Sequence, residues 1–198
     1  MQALLLVDIQ NDFLPGGALA VPRGGEVVPV ANRLMSSYKL VVATQDWHPS
    51  DHQSFATQHA DQSAGDVVEV DGLDQILWPD HCVQETWGAE IAPGLNTVGI
   101  NHVIRKGTDR MIDSYSGFFD NGHRKGTGLA DYLKQLGVTE VDVMGLATEY
   151  CVKFTVLDAI ELGFKTRLLI EGVRGVDSKP GDCQRAIAQM EERGAALV

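Results

Sequence analysis

The feature that most restricts how this chain can fold is an alternation. Short apolar runs of strand type recur at Ala3–Val7, Leu40–Thr44, His102–Arg105, Glu140–Met144 and Lys165–Ile170, and most are separated by amphipathic stretches of helical length. A chain that returns to a strand through a helix lays its strands parallel, so an α/β fold with helices against a sheet is expected. The clearest helix is Cys151–Leu162, where Val152, Val156, Ala159 and Ile160 share one face and Gly163 follows as a stop. Further helices are expected near Val27–Ser37, Gly128–Leu136 and Gly181–Arg193. A chain of 198 residues can bury one sizeable core, and residues 1–198 are read as one domain.

The stretch from about 46 to 97 breaks the rhythm. It holds His48, His52, His59 and His81 together with Trp47, Trp78 and Trp87, and several Pro and Gly. A long irregular insertion in a compact α/β domain is usually functional.

Composition removes several function classes. With 27 acidic against 16 basic residues and a formal net charge of -11, most of the surface would repel a phosphate backbone, so nucleic acid is not an expected partner. Cys82, Cys151 and Cys183 are odd in number and irregularly spaced, which fits free thiols in a reducing compartment. No segment is apolar for long enough to span a bilayer, so no membrane partner is expected either, and the chain is read as cytoplasmic.

Ligands of open α/β sheets bind beyond the carboxyl ends of the strands. Asp8 follows Leu4–Val7, Lys106 follows Val103–Arg105, and Cys151 follows the strand and turn Val141–Ala147. A carboxylate can take a thiol proton and later hand it to a leaving amine, a lysine can steady the charges of both, and a cysteine is the nucleophile. The helix start at Cys151 and a nearby lysine would lower the thiol pKa. Backbone N–H groups of Ala147 and Cys151 are natural oxyanion donors. None of these residues would carry the reading alone, because a lone Cys at a helix start is ordinarily a small core residue and a lone Asp after a strand a cap.

Asp46-Trp47-His48 sets a carboxylate and an imidazole on the same side of an extended chain, and His81 could complete the set. Two imidazoles and one carboxylate suit one divalent metal ion, zinc foremost, with iron or manganese also fitting. His52 is a candidate fourth ligand or an outer partner. Cys82, beside His81, reads as a buried neighbour, and His59, His102 and His123 as structural or solvated.

Taken together, these blocks resemble the nicotinamidase branch of the isochorismatase-like cysteine hydrolases: Ala3–Phe13, Gln45–Pro49, Trp78–Gln84, Lys106-Gly107, Asp113–Asn121 and Gly145–Val152. Six blocks in order along nearly the whole chain are far more specific than any one motif. The resemblance implies a three-layer fold with a six-stranded, mainly parallel sheet flanked by helices. It also implies a catalytic triad of Asp8, Lys106 and Cys151, a metal set of Asp46, His48 and His81, and a cis peptide between Leu146 and Ala147. In the family the pyridine nitrogen of nicotinamide lies at or near the metal and the ring lies between aromatic walls. Phe13 and Trp78 match those wall positions, and Tyr115 is a further pocket candidate.

The implied activity is hydrolysis of nicotinamide, with pyrazinamide as a second substrate, in NAD salvage. Family members occur as monomers and as larger assemblies, so a homo-oligomer is compatible with the resemblance. Two alternatives stand beside it: an amidohydrolase of the same fold acting on carbamoyl or ureido compounds, and a non-catalytic metal-binding module. One departure is visible, since relatives often carry Asp where this chain has Glu149.

Overall fold

The first strand, β1 (Gln2–Val7), is apolar from Ala3 onward and buried on both faces. Side chains of a strand point alternately to opposite sides, and here they enter two different cores. Ala3, Leu5 and Val7 pack into one, Leu4 and Leu6 into the other. Truncating one of them, as in Leu5→Ala, would cost about 2–5 kcal/mol.

The computed structural model describes residues 1–198. After β1 come α1 (Val27–Met35), β2 (Val41–Asp46), β3 (Val67–Val70), β4 (Leu73–Ile76), β5 (His102–Lys106), α2 (Leu129–Gln135) and β6 (Glu140–Leu146). They are followed by α3 (Lys153–Glu161), β7 (Lys165–Arg174), α4 (Asp182–Glu192) and β8 (Ala196–Leu197). Six strands form one sheet in the order β5-β2-β1-β6-β7-β8, and every pairing within it is parallel. Helix α1 covers one face through Val27, Ala31 and Met35. Helices α2, α3 and α4 cover the other through Leu129, Leu133, Val156, Ala159 and Met190. This is the three-layer architecture expected.

Three features differ from the expectation. The sixth strand, β8, is only two residues long, too short to leave a pattern in the sequence. The 46–97 stretch is not wholly irregular, because β3 and β4 pair there as a separate antiparallel hairpin. The helix expected from Cys151 begins as α-helix only at Lys153, and Thr148–Val152 forms a π-helical turn ahead of it. A single π turn inside or beside an α-helix often marks a functional position.

Strand order reverses beside β1, with β2 and β5 on one side and β6, β7 and β8 on the other. Such a reversal opens a crevice at the carboxyl ends of the strands.

Candidate active site

Register brings the charged residues of the site together. Strands β2 and β5 end opposite each other, with Asp46 paired to Lys106. The neighbouring β1 runs out at Val7, and Asp8 then turns the chain with a φ of +50°. Four adjacent strands thus deliver Lys106, Asp46, Asp8 and, after β6, Cys151 to one edge of the sheet.

Lys106 is the hub. Its fully buried Nζ lies 2.9 Å from Asp8 Oδ2 and 2.6 Å from Asp46 Oδ1, and it donates to the Ser114 carbonyl at 2.8 Å. Cys151 Sγ is 3.4 Å away. Burial alone would push the lysine pKa down, but Asp46 and Asp8 outweigh it and hold the ammonium firmly charged.

The two carboxylates share that charge unequally. Burial raises Asp8 to about 6, only partly offset by Lys106, while its Oδ1 accepts a hydrogen bond from the Thr44 hydroxyl at 2.5 Å. Burial acts on Asp46 too, but Lys106 and His48 prevail and hold its carboxyl well below the usual range. Burial also pushes the Cys151 thiol up, against the pull of Lys106. The expectation of a lowered thiol pKa is therefore corrected: the sulfur sits within the π turn, desolvated and beside two carboxylates, so the resting group is a thiol facing a carboxylate able to take its proton.

The second half of the site joins the end of β2 to two loop-borne imidazoles. Asp46, His48 and His81 bring one ligand atom each within 4.8 Å of one another, and all three are buried. His48 Nδ1 lies 2.8 Å from the Gly107 carbonyl and His81 Nδ1 lies 2.8 Å from the Pro79 carbonyl. A carbonyl can only accept, so Nδ1 carries the proton in each ring and Nε2 is left with a free lone pair. His48 Nε2 is buried with no hydrogen-bond partner, 3.8 Å from Asp46 Oδ2. A buried polar atom without a partner calls for an explanation, and a divalent cation held by this set supplies one. Burial disfavours a charged His48, yet Asp46 outweighs it and raises the ring's proton affinity, a field that favours a metal cation equally.

Gly107 must be glycine for this arrangement. Its φ is +62°, and a Cβ there would lie 2.3 Å from His48 Cε1.

His52 stands behind this set, its ring 4.4 Å from that of His48. Its Nδ1 lies 2.7 Å from the Ser54 hydroxyl and 3.1 Å from the Ser54 backbone nitrogen, its Nε2 is buried with no partner, and burial and His48 together lower its pKa to about 4. His48, His52 and Asp113 also bring one ligand atom each within 4.8 Å of one another, which keeps His52 a candidate fourth ligand or outer partner of the same centre. Cys82 is buried with its thiol facing the Gly88 carbonyl. His59 meets the Gln53 carbonyl, His102 stacks on Tyr132, and His123 lies 3.3 Å from Asp158.

One cleft is lined by Phe13, Trp78, Tyr115, Ala147 and Cys151, and also by Asp46 and His81. Trp78 Nε1 donates to the Tyr115 hydroxyl at 3.1 Å and packs edge-on against Tyr150, which fixes the aromatic wall. The peptide between Leu146 and Ala147 is cis.

Sequence reasoning left several residues without a role. Leu19, Val21, Asp113, Tyr150 and Val176 also line the cleft. Gln10 clamps the backbone of Asp46, donating to its carbonyl and accepting its N–H, each at 2.8 Å. Asp12 accepts the N–H of Cys82 at 2.7 Å and so holds the turn that presents His81. Asp8, Gln10 and Asp12 alternate in one short segment, and that spacing was the available signal. For Val176 there was none.

The isochorismatase domain model matches residues 2–198. The nicotinamidase of Escherichia coli strain K12 is 51% identical over 200 residues, covering 99% of this chain and 93% of that protein. A nicotinamidase/pyrazinamidase structure from Acinetobacter baumanii superposes with a TM-score of 0.96 at 42% identity, covering 100% of this chain and 95% of that one. A pyrazinamidase of Pyrococcus horikoshii in complex with zinc superposes with a TM-score of 0.80 at 40% identity, covering 100% and 98%. No helix is long and apolar enough to cross a membrane.

Proposed function

This chain belongs to the isochorismatase family, in its nicotinamidase/pyrazinamidase branch, and from that premise we propose that it hydrolyses nicotinamide to nicotinate and ammonia through a thioester on Cys151. The observation that carries the reading is one cleft lined at once by Cys151 and by Asp46 and His81. A small flat amide with a ring nitrogen presents a carbon to one and a lone pair to the other.

Asp8 takes the proton of Cys151 as sulfur bonds to the carboxamide carbon. The carbonyl π pair moves onto oxygen, where the backbone N–H groups of Ala147 and Cys151 receive it. When the C–N bond breaks, the leaving nitrogen takes the proton from Asp8 and departs as ammonia. Asp8 then takes a proton from water as its oxygen attacks the thioester, the C–S bond breaks, and that proton returns to sulfur. Lys106 stays charged throughout, and its contacts to Asp8, Asp46 and Cys151 hold the three groups within reach of one another.

Asp46, His48 and His81 are suited to hold one divalent cation, zinc foremost, which when bound supplies a Lewis acid for a ring nitrogen. Phe13, Trp78 and Tyr115 would sandwich the ring. Pyrazinamide keeps a ring nitrogen in the same relation to its carboxamide and is expected to be turned over. Nicotinate made this way would enter NAD salvage, and three free cysteines suit a reducing, cytoplasmic setting for the chain, read as one domain.

The test is ammonia release from nicotinamide by the purified protein beside Cys151→Ala, with metal removed and restored. Turnover that disappears in the variant and follows the metal is expected. A folded, metal-loaded enzyme that releases no ammonia would sink the assignment and turn attention to carbamoyl and ureido substrates.

A further inference from the structure

Glu149 stands two residues before Cys151 and takes no part in the chemistry above, yet it is only 6% exposed. Its Oε1 accepts the backbone N–H of Asp177 at 2.6 Å, and its Oε2 faces the Cys183 thiol at 3.5 Å. Asp177 in turn accepts the Cys183 N–H on its own Oδ1 at 3.1 Å. The carboxylate is thus buried with partners for both oxygens, Asp177 on the segment that joins β7 to α4 and Cys183 in the first turn of α4.

The approach is close. A Cβ on Gly175 would lie 2.3 Å from Glu149 Oε2 and 2.2 Å from Cys183 Sγ, so a side chain there would push both groups from their present contacts. Asp177, on the other side, bends the chain with a φ of +52°. Between these two fixed points stands Val176, which lines the catalytic cleft. A carboxylate borne by the nucleophile turn therefore ties down a distant loop whose middle residue is a wall of the substrate pocket.

We propose that Glu149 is a positioning residue that sets how tightly the pocket holds its amide, by fixing Val176 through the Asp177 N–H, and that it does not act in acyl transfer. The inference rests on the nicotinamidase reading for its substrate. Side-chain volume at 149 is not what matters: an acceptor oxygen is. Glu149→Gln keeps an oxygen able to accept from Asp177, whereas Glu149→Met fills similar space and offers none.

Steady-state kinetics of the metal-loaded enzyme on nicotinamide, with hydrogen exchange at the Asp177 amide, test this. Glu149→Met and Val176→Ala should each raise KM by about tenfold, the scale of a lost apolar contact in a pocket, with kcat within about twofold. Combining them should raise KM little further, since both remove the same wall. Glu149→Gln should restore wild-type KM. The Asp177 amide should exchange at least about tenfold faster in Glu149→Met and at the wild-type rate in Glu149→Gln.

A drop in kcat at constant KM, multiplicative effects in the double variant, or an Asp177 amide still protected in Glu149→Met would overturn the proposal. Should Glu149→Met not fold, Glu149→Ala, which likewise offers no acceptor to the Asp177 N–H, takes its place in both measurements, and an amide still protected there overturns the proposal. A wild type inactive on nicotinamide would sink the functional reading instead, and the exchange measurement, which needs no substrate, would still show whether Glu149 holds the loop.

Discussion

The two halves of the site are built differently. Asp8, Lys106 and Asp46 stand at the ends of neighbouring parallel strands, where register alone brings Asp46 and Lys106 opposite each other. His48 and His81 stand on loops and are aimed one bond at a time, by the carbonyls of Gly107 and Pro79 and by the Asp12 clamp on Cys82. A strand-end group can be lost only by changing the group itself. A loop-borne ligand can be lost by changing a residue that never touches the substrate.

The largest expected effect separates the halves. Cys151→Ala should lower nicotinamide turnover by about 10⁴-fold or more while bound metal, read by elemental analysis, is unchanged. His81→Ala should lose the metal. A Cys151→Ala protein purified without metal would break the separation.

Lys106 belongs to both halves, so its loss tests their coupling. Lys106→Met leaves Asp8 and Asp46 buried together without the ammonium between them and should destabilise the metal-free fold by about 3–5 kcal/mol, read by urea unfolding. An unchanged midpoint would mean that the lysine does not bind the halves together.

Next comes Gly107→Ala, which alters no reacting group. The added Cβ would displace His48, and metal affinity should fall by about 10–100-fold with Cys151 labelling by iodoacetamide unchanged. Unaltered affinity would mean that His48 is not held from behind.

The smallest effect is in pH. Burial raises Asp8 to about 6, and only its unprotonated form can accept the thiol proton, so kcat/KM should fall as pH drops below about 6, by up to about tenfold per unit. A profile flat down to pH 4.5 would exclude Asp8 as the base.

Much of this was legible in the residues. Apolar runs gave away five strands, most plainly β1, β2 and β6, which are buried on both faces, and the polar residue closing each run was a candidate by position. Asp46, His48 and His81 stood out because two imidazoles and a carboxylate are costly to gather without a use. Val176 was not legible, since an isolated valine looks the same in a core and in a pocket wall. The thiol's pKa was misjudged for a similar reason: a helix start and a lysine are visible in a sequence, but desolvation is not.

The sequence by itself determined the strand-and-helix alternation and the chemical types of the site, because periodicity and side-chain chemistry are local properties. Only the tertiary structure decided how one lysine is divided between two carboxylates, why Gly107 admits no side chain, and that Glu149 reaches a loop 28 residues further along the chain. Each of these depends on distances between segments remote in sequence. Those distances are set by sheet register and burial, and no stretch of residues carries them alone.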